Sequence, residues 1–147
     1  DALFNEMRLG LNDSIVGVRD SAYLKYRYFD NPSYNYITQF VFTSDNNLPT
    51  GIVIYRKLGA QVILLDVIGN PKYFPMLVAF VQTQVTSLGS NQLNTWITDV
   101  HLPLFGDQHS RIDDPNISIP TSVCTPGPSR EALQDKWFLT CGDAEFK

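Results

Sequence analysis

The sequence predicts an α+β domain, and three observations carry that prediction. Segments 36–43, 51–56 and 62–68 are dense in β-branched and aromatic residues, with turn chemistry between them. Immediately afterwards Phe74, Leu77, Val78, Val81, Val85 and Leu88 recur at three- and four-residue steps, the stripe of a helix laid on a sheet. Helix-forming composition also fills most of the first thirty residues. At 147 residues the chain has the size of one domain with one substantial core. No internal repeat, low-complexity tract or long linker divides it.

Taken in order, Ala2 to Leu9 predicts a helix, with Gly10 placed to close it. Arg19 to Phe29 predicts a second, capped by Asp20 or Ser21 and stopped before Pro32, because proline disfavours helix in the residue preceding it. Tyr36–Thr43, Gly51–Arg56 and Val62–Ile68 predict three strands, and their short connections favour an antiparallel meander. The third is almost continuously apolar, as a strand covered on both faces should be. The helix from Phe74 to Leu88, closed by Gly89, makes a crossover, so a strand from Gln92 to Asp99 should run parallel to the third. A short helix over His101–Gln108, a strand over Ile117–Cys124, a helical turn near Ser129–Gln134 and a last strand over Lys136–Cys141 complete the expectation.

Composition removes several function classes. With 44% hydrophobic and 18% charged residues the chain is not disordered, and no apolar run approaches the ~20 residues that span a bilayer. A net charge of −4 and the lack of any Lys/Arg cluster disfavour nucleic-acid binding. Cys124 and Cys141 have neither a disulfide framework nor a metal-ligand spacing, and they read as free thiols in a reducing cytoplasm. His101 and His109 lack a ligand-spaced cysteine or carboxylate, so no metal site is expected. Because the first residue is Asp1 rather than Met, the sequence reads as a piece of a longer chain.

The run Arg19-Asp20-Ser21-Ala22-Tyr23-Leu24-Lys25-Tyr26-Arg27-Tyr28, followed by Asn31-Pro32 and Tyr34, resembles a segment common in GNAT-type N-acyltransferases of bacterial polysaccharide and cell-envelope clusters. Gly51-Ile52-Val53-Ile54 resembles their second strand. The closing Trp137-Phe138-Leu139-Thr140-Cys141-Gly142-Asp143-Ala144-Glu145 is similar to their C-terminal strand. The likeness covers roughly residues 19 to 145. It implies a GNAT-like mixed sheet, an antiparallel meander with a central parallel pair, and helices on both faces. It further implies acetyl-CoA or another acyl-CoA as cofactor and a small-molecule amine, such as an amino sugar, as acceptor. An upstream part of the same chain, itself a GNAT-like domain, would be the partner.

In that family the third strand and the turn after it receive the cofactor, with phosphate on the helix N-terminus. Here the corresponding residues are Val67, Ile68, Gly69, Asn70 and Lys72. The turn reads Ile68-Gly69-Asn70-Pro71-Lys72-Tyr73-Phe74-Pro75, with one glycine, no Gly-x-Gly and two prolines, each of which removes a backbone donor. A cofactor cradle and a simple strand-to-helix turn are both open readings of it. Asp66, alone in an apolar strand, is the first candidate general base, or else a structural aspartate. Asp99 is the second candidate, or else a cap for the segment that follows. Two functions therefore stand side by side: an acyl-CoA-dependent N-acyltransferase, and a noncatalytic GNAT-like half with a degenerate cofactor loop and a structural or partner-binding role.

Overall fold

The computed structural model describes residues 1–44, 47–107, 112–113 and 127–143. The strand expected at 117–124, together with His109 and Cys124, lies outside the described residues. Among the described residues four strands form a mixed sheet: β2 (Ile37–Val41), β3 (Gly51–Leu58), β4 (Gln61–Gly69) and β5 (Gln92–Asn94), in that spatial order. The first three make the antiparallel meander, and β5 runs parallel to β4 after the crossover. The fold is thus α+β with a mixed four-stranded sheet, and β4 lies inside it.

A bulge sets the chemistry of β4. Ile54 pairs with Asp66 but Tyr55 pairs with Leu64, so Leu65 is the extra residue. In consequence Ile63 and Asp66, three residues apart, lie on one face of the sheet, with Val62, Leu64 and Val67 on the other. The crossover helix α3 (Phe74–Ser87) covers the second face, where Leu77 reaches so close to Gly51 that a Cβ there would sit 2.5 Å from it. Phe74, Leu77, Val81 and Val85 are buried, whereas Val78 is only half-buried at the stripe's margin. Gly89, at a φ of +66°, ends the helix as expected.

The opposite face is covered from the other side of the chain. Helix α1 (Ala2–Gly10) packs near β4, and its Gly10 is not the closing residue, because Leu11 takes the cap. Gly10 is small for a different reason: a Cβ there would lie 2.4 Å from Cδ of Pro71. The second helix is shorter than its composition predicts. Helix α2 (Ser21–Leu24) starts after Asp20, whose Oδ1 accepts from the Tyr23 amide at 2.8 Å, and the chain then widens into a π-turn over Lys25–Phe29. Arg19 lies before the cap, outside the helix.

Two strand expectations are corrected. The segment 92–99 pairs with β4 only over Gln92–Asn94, because Thr95 turns its hydroxyl onto the Leu64 carbonyl and Ile97 bridges to Thr140 instead. The last strand, β6 (Trp137–Phe138), joins a separate two-stranded parallel pair with β1 (Ile15–Val16), which composition did not predict. The expected helix over 101–108 is a 3-10 segment, Asp99–Phe105, and α4 (Arg130–Leu133) is the turn expected near 129–134. Phe74, Phe105 and Phe138 meet at 5.7 and 6.0 Å and join these parts into one core.

Candidate functional site

Asp66 is the centre of a buried polar cluster drawn from four segments. Asp66 and Arg19 are each only 1% exposed. Arg19 Nε donates to Asp66 Oδ1 at 2.8 Å, Thr140 Oγ1 donates to the same oxygen at 3.1 Å, and Tyr28 OH donates to Oδ2 at 3.0 Å. The remaining guanidinium nitrogens of Arg19 reach the Gly17 carbonyl at 2.9 Å, Thr140 Oγ1 and the Asp143 carboxylate. Asp143 in turn accepts from the Thr140 amide at 2.8 Å. The π-turn places Arg27 beside Tyr28, and both nitrogens Nε and Nη2 of Arg27 donate to the Gly142 carbonyl. The turn Cys141–Asp143 therefore lies against the middle of β4, in the space left where β5 departs. It fits only because residue 142 is glycine, since a Cβ there would be 2.7 Å from Asp66 Oδ2 and 2.3 Å from Tyr28 OH.

Electrostatics in this cluster pull two ways. Burial pushes the Asp66 carboxyl up, and the Arg19 charge and hydrogen bond pull it back. All three polar side chains on its oxygens are donors, however, which only the acceptor-only carboxylate satisfies, so the ionised form is the one this geometry holds. Burial alone would lower the Arg19 guanidinium, yet Asp66 and Asp143 more than reverse that and raise it. Burial, then Asp66, raises the Tyr28 phenol well beyond its ordinary value, which keeps it a proton donor in the hydrogen-bond sense and a very weak acid.

Asp99 sits apart from this cluster. It is exposed in the first turn of its 3-10 segment, and Oδ1 accepts from the Val100 amide at 2.8 Å, a local capping contact. Nearby His101 is buried between Ser14 and Thr98. Because the Thr98 hydroxyl donates to the Trp137 carbonyl, Nδ1 of His101 must carry the proton and Nε2 must accept from Ser14. Burial lowers its pKa. Burial also pushes the Cys141 thiol up to about 11, and the Trp96 amide donates to its sulfur at 3.1 Å. Among the described residues no cluster of His, Cys, Asp and Glu has a metal-holding arrangement, and no helix is long and apolar enough to cross a membrane.

The turn after β4 is closed by the chain itself. Val67 and Ile68 are fully buried opposite Val53 and Ile52, and Gly69 pairs with Gly51. Asn70 spends its side-chain oxygen on the Lys72 amide at 3.2 Å. Pro71 is buried against Gly10, and Pro75 lies against Gly106. Lys72 is exposed and stacks its ammonium over the Tyr73 ring at 4.7 Å. A pyrophosphate needs several free amides converging at a helix N-terminus. Here two positions are proline and one amide is already capped, so the residues present do not fit that group.

Arg19, Tyr28, Thr140 and Asp143 are absent from the site read in the sequence. Each sits in a locally ordinary context: a helix start, an aromatic-rich helix, a strand end and a polar tail. The one local signal was Asp66 itself, since a carboxylate in an apolar strand demands a buried cation somewhere. Comparison with family models, with characterised proteins and with solved structures finds no match to this chain.

Proposed function

We propose that this chain is a noncatalytic GNAT-like unit with a structural and partner-binding role, and that it does not transfer an acyl group. The engagement of Asp66 carries this reading. A general base must reach the proton it abstracts, and both oxygens of Asp66 are already held by Arg19, Thr140 and Tyr28, with Gly142 packed beside them. The closed turn at Asn70–Pro75 supports the same conclusion, as does the C-terminal turn lying beside β4 where the family pairs the pantetheine arm. For the partner surface we assign β2, the edge strand among the described residues, with Phe40 exposed, and with Phe42 and Leu48 exposed just beyond it. A further GNAT-like unit of the same polypeptide is the partner that the resemblance implies.

Thermal unfolding with acetyl-CoA tests the reading. A ligand at ~100 times its dissociation constant adds ~2.7 kcal/mol, roughly 5–10 °C in melting temperature for a chain of this size. Millimolar acetyl-CoA is expected to leave the midpoint unmoved. A shift of several degrees that disappears in Lys72→Ala would restore the acyltransferase reading.

A further inference from the structure

A cavity of about 230 Å³ opens on the sheet face that carries Asp66, between the π-turn and the chain that leaves β5. Its floor crosses three adjacent strands, with Leu58 on β3, Ile63 on β4 and Asn94 on β5, and Ile63 stands opposite Asn94 in the ladder. The bulge residue Leu65 adds to the lining. Tyr36, just before β2, and Trp96, just after β5, line it from outside the strands. Leu58 is 55% exposed, so an apolar side chain stands in water at the mouth.

The polar groups bordering this space are committed to the protein itself. Asn94 donates to Gln61 at 2.7 Å, Thr95 to the Leu64 carbonyl at 3.0 Å and Tyr28 to Asp66 at 3.0 Å. Cys141 accepts from the Trp96 amide, and burial keeps its thiol neutral. Arg27 directs Nε and Nη2 at the Gly142 carbonyl. Nε and Nη1 of Arg56 have no exposed surface, and its guanidinium is stacked on Tyr34, a residue outside the lining, so neither nitrogen meets a ligand here. An anion would therefore gain little in exchange for its water. A cation would meet the repulsion of both guanidinium groups. An uncharged ligand suffers neither penalty, and the apolar floor and aromatic side chains favour flat apolar area.

We propose that this cavity binds a small uncharged aromatic molecule, a single ring with a short substituent, laid on Leu58, Ile63 and Leu65 and against Tyr36 and Trp96. Volume sets the size. A cavity of ~150 Å³ lined by Leu, Ile and Phe takes benzene, and pockets for drug-sized molecules begin near ~300 Å³. At about 230 Å³ this one falls between them. Such binding is independent of the cofactor question, and its failure would leave the noncatalytic reading untouched.

The test is an NMR titration of the intact chain with benzyl alcohol, benzoate and benzylammonium, read at the indole N–H signals of its two tryptophans. Benzyl alcohol is expected to saturate and to move the Trp96 signal, while that of Trp137, which does not line the cavity, stays in place. Both ions should bind at least about tenfold more weakly. Ile63→Phe, which fills the floor, should abolish the Trp96 response. Equal affinity for the alcohol and the ions, no saturable response to the alcohol, or a response that survives in a folded Ile63→Phe variant overturns the proposal. Should Ile63→Phe fail to fold, the comparison of the three probes on the unaltered chain decides alone.

Discussion

The two faces of β4 are held by different physics. Toward α3, Val62, Leu64 and Val67 meet Leu77 and Val81 through apolar contact alone, a non-directional force proportional to area. Toward α2 and the C-terminal turn, Asp66 is held by directional bonds to Arg19, Tyr28 and Thr140. An apolar face loses stability by increments as volume is removed. A buried ionic face fails as a unit, because each missing partner strands a charge.

The largest break in this comparison is Arg19→Met. Removing one member of a buried ion pair costs about 3–5 kcal/mol, a large share of the ~5–15 kcal/mol that holds a typical domain. Urea unfolding should show that loss, and Arg19→Met/Asp66→Leu should recover much of it because no charge is then stranded. If the double variant is no more stable than the single one, the face is held by shape rather than by charge. On the other side, Val81→Ala should cost a smaller ~1–3 kcal/mol, the scale of a core truncation. An unchanged denaturant slope in that variant would mark simple loss of packing.

The same division decided what could be read in advance. The α3 stripe was located by its period and the three meander strands by their density of β-branched and aromatic residues, and within the stripe Val78 and Leu88 are less buried than their spacing implied. The bulge at Leu65 is invisible to alternation, yet it is what turns Asp66 onto the face of Ile63. Arg19 and Asp143 could not be assigned to Asp66 because charge closure between distant segments leaves no local trace. The brief pairing of β1 with β6 was hidden for a related reason, since two residues are too few for any period. Asn70, Pro71 and Pro75 did announce a turn poor in donors, and the geometry adds that Gly10 and Gly106 close over the prolines.

The smallest expected effect sharpens the contrast at the border of the two regions. His101 is buried and neutral, with its pKa lowered, so the unfolded chain binds more protons once the pH drops below the ordinary histidine value of ~6.5. Its contribution is complete above that value and is lost as the pH falls toward the folded-state pKa, at no more than about 1.4 kcal/mol per pH unit. Denaturation midpoints of the unaltered chain and of His101→Gln, compared over about pH 7.5 to 5.5, should converge as acid is added. Parallel curves would mean that His101 is protonated in place without penalty.

The contact between Arg19 and Asp143 spans 124 positions of sequence, and it imposes an order on how the molecule can be made. During synthesis Arg19 and Asp66 leave the ribosome early, and the Thr140–Asp143 turn follows several seconds later at about 5–20 residues per second. Until then Arg19 has only part of its acceptors and Asp66 lacks the Thr140 donor, so the nascent meander carries an open ionic centre beneath a finished apolar face. Completion of the domain is therefore a late, long-range closing event of the kind that slows folding. A nascent chain stalled before Thr140 should display native-like helix α3 protection while its early segment, residues 15 to 28, remains accessible to protease.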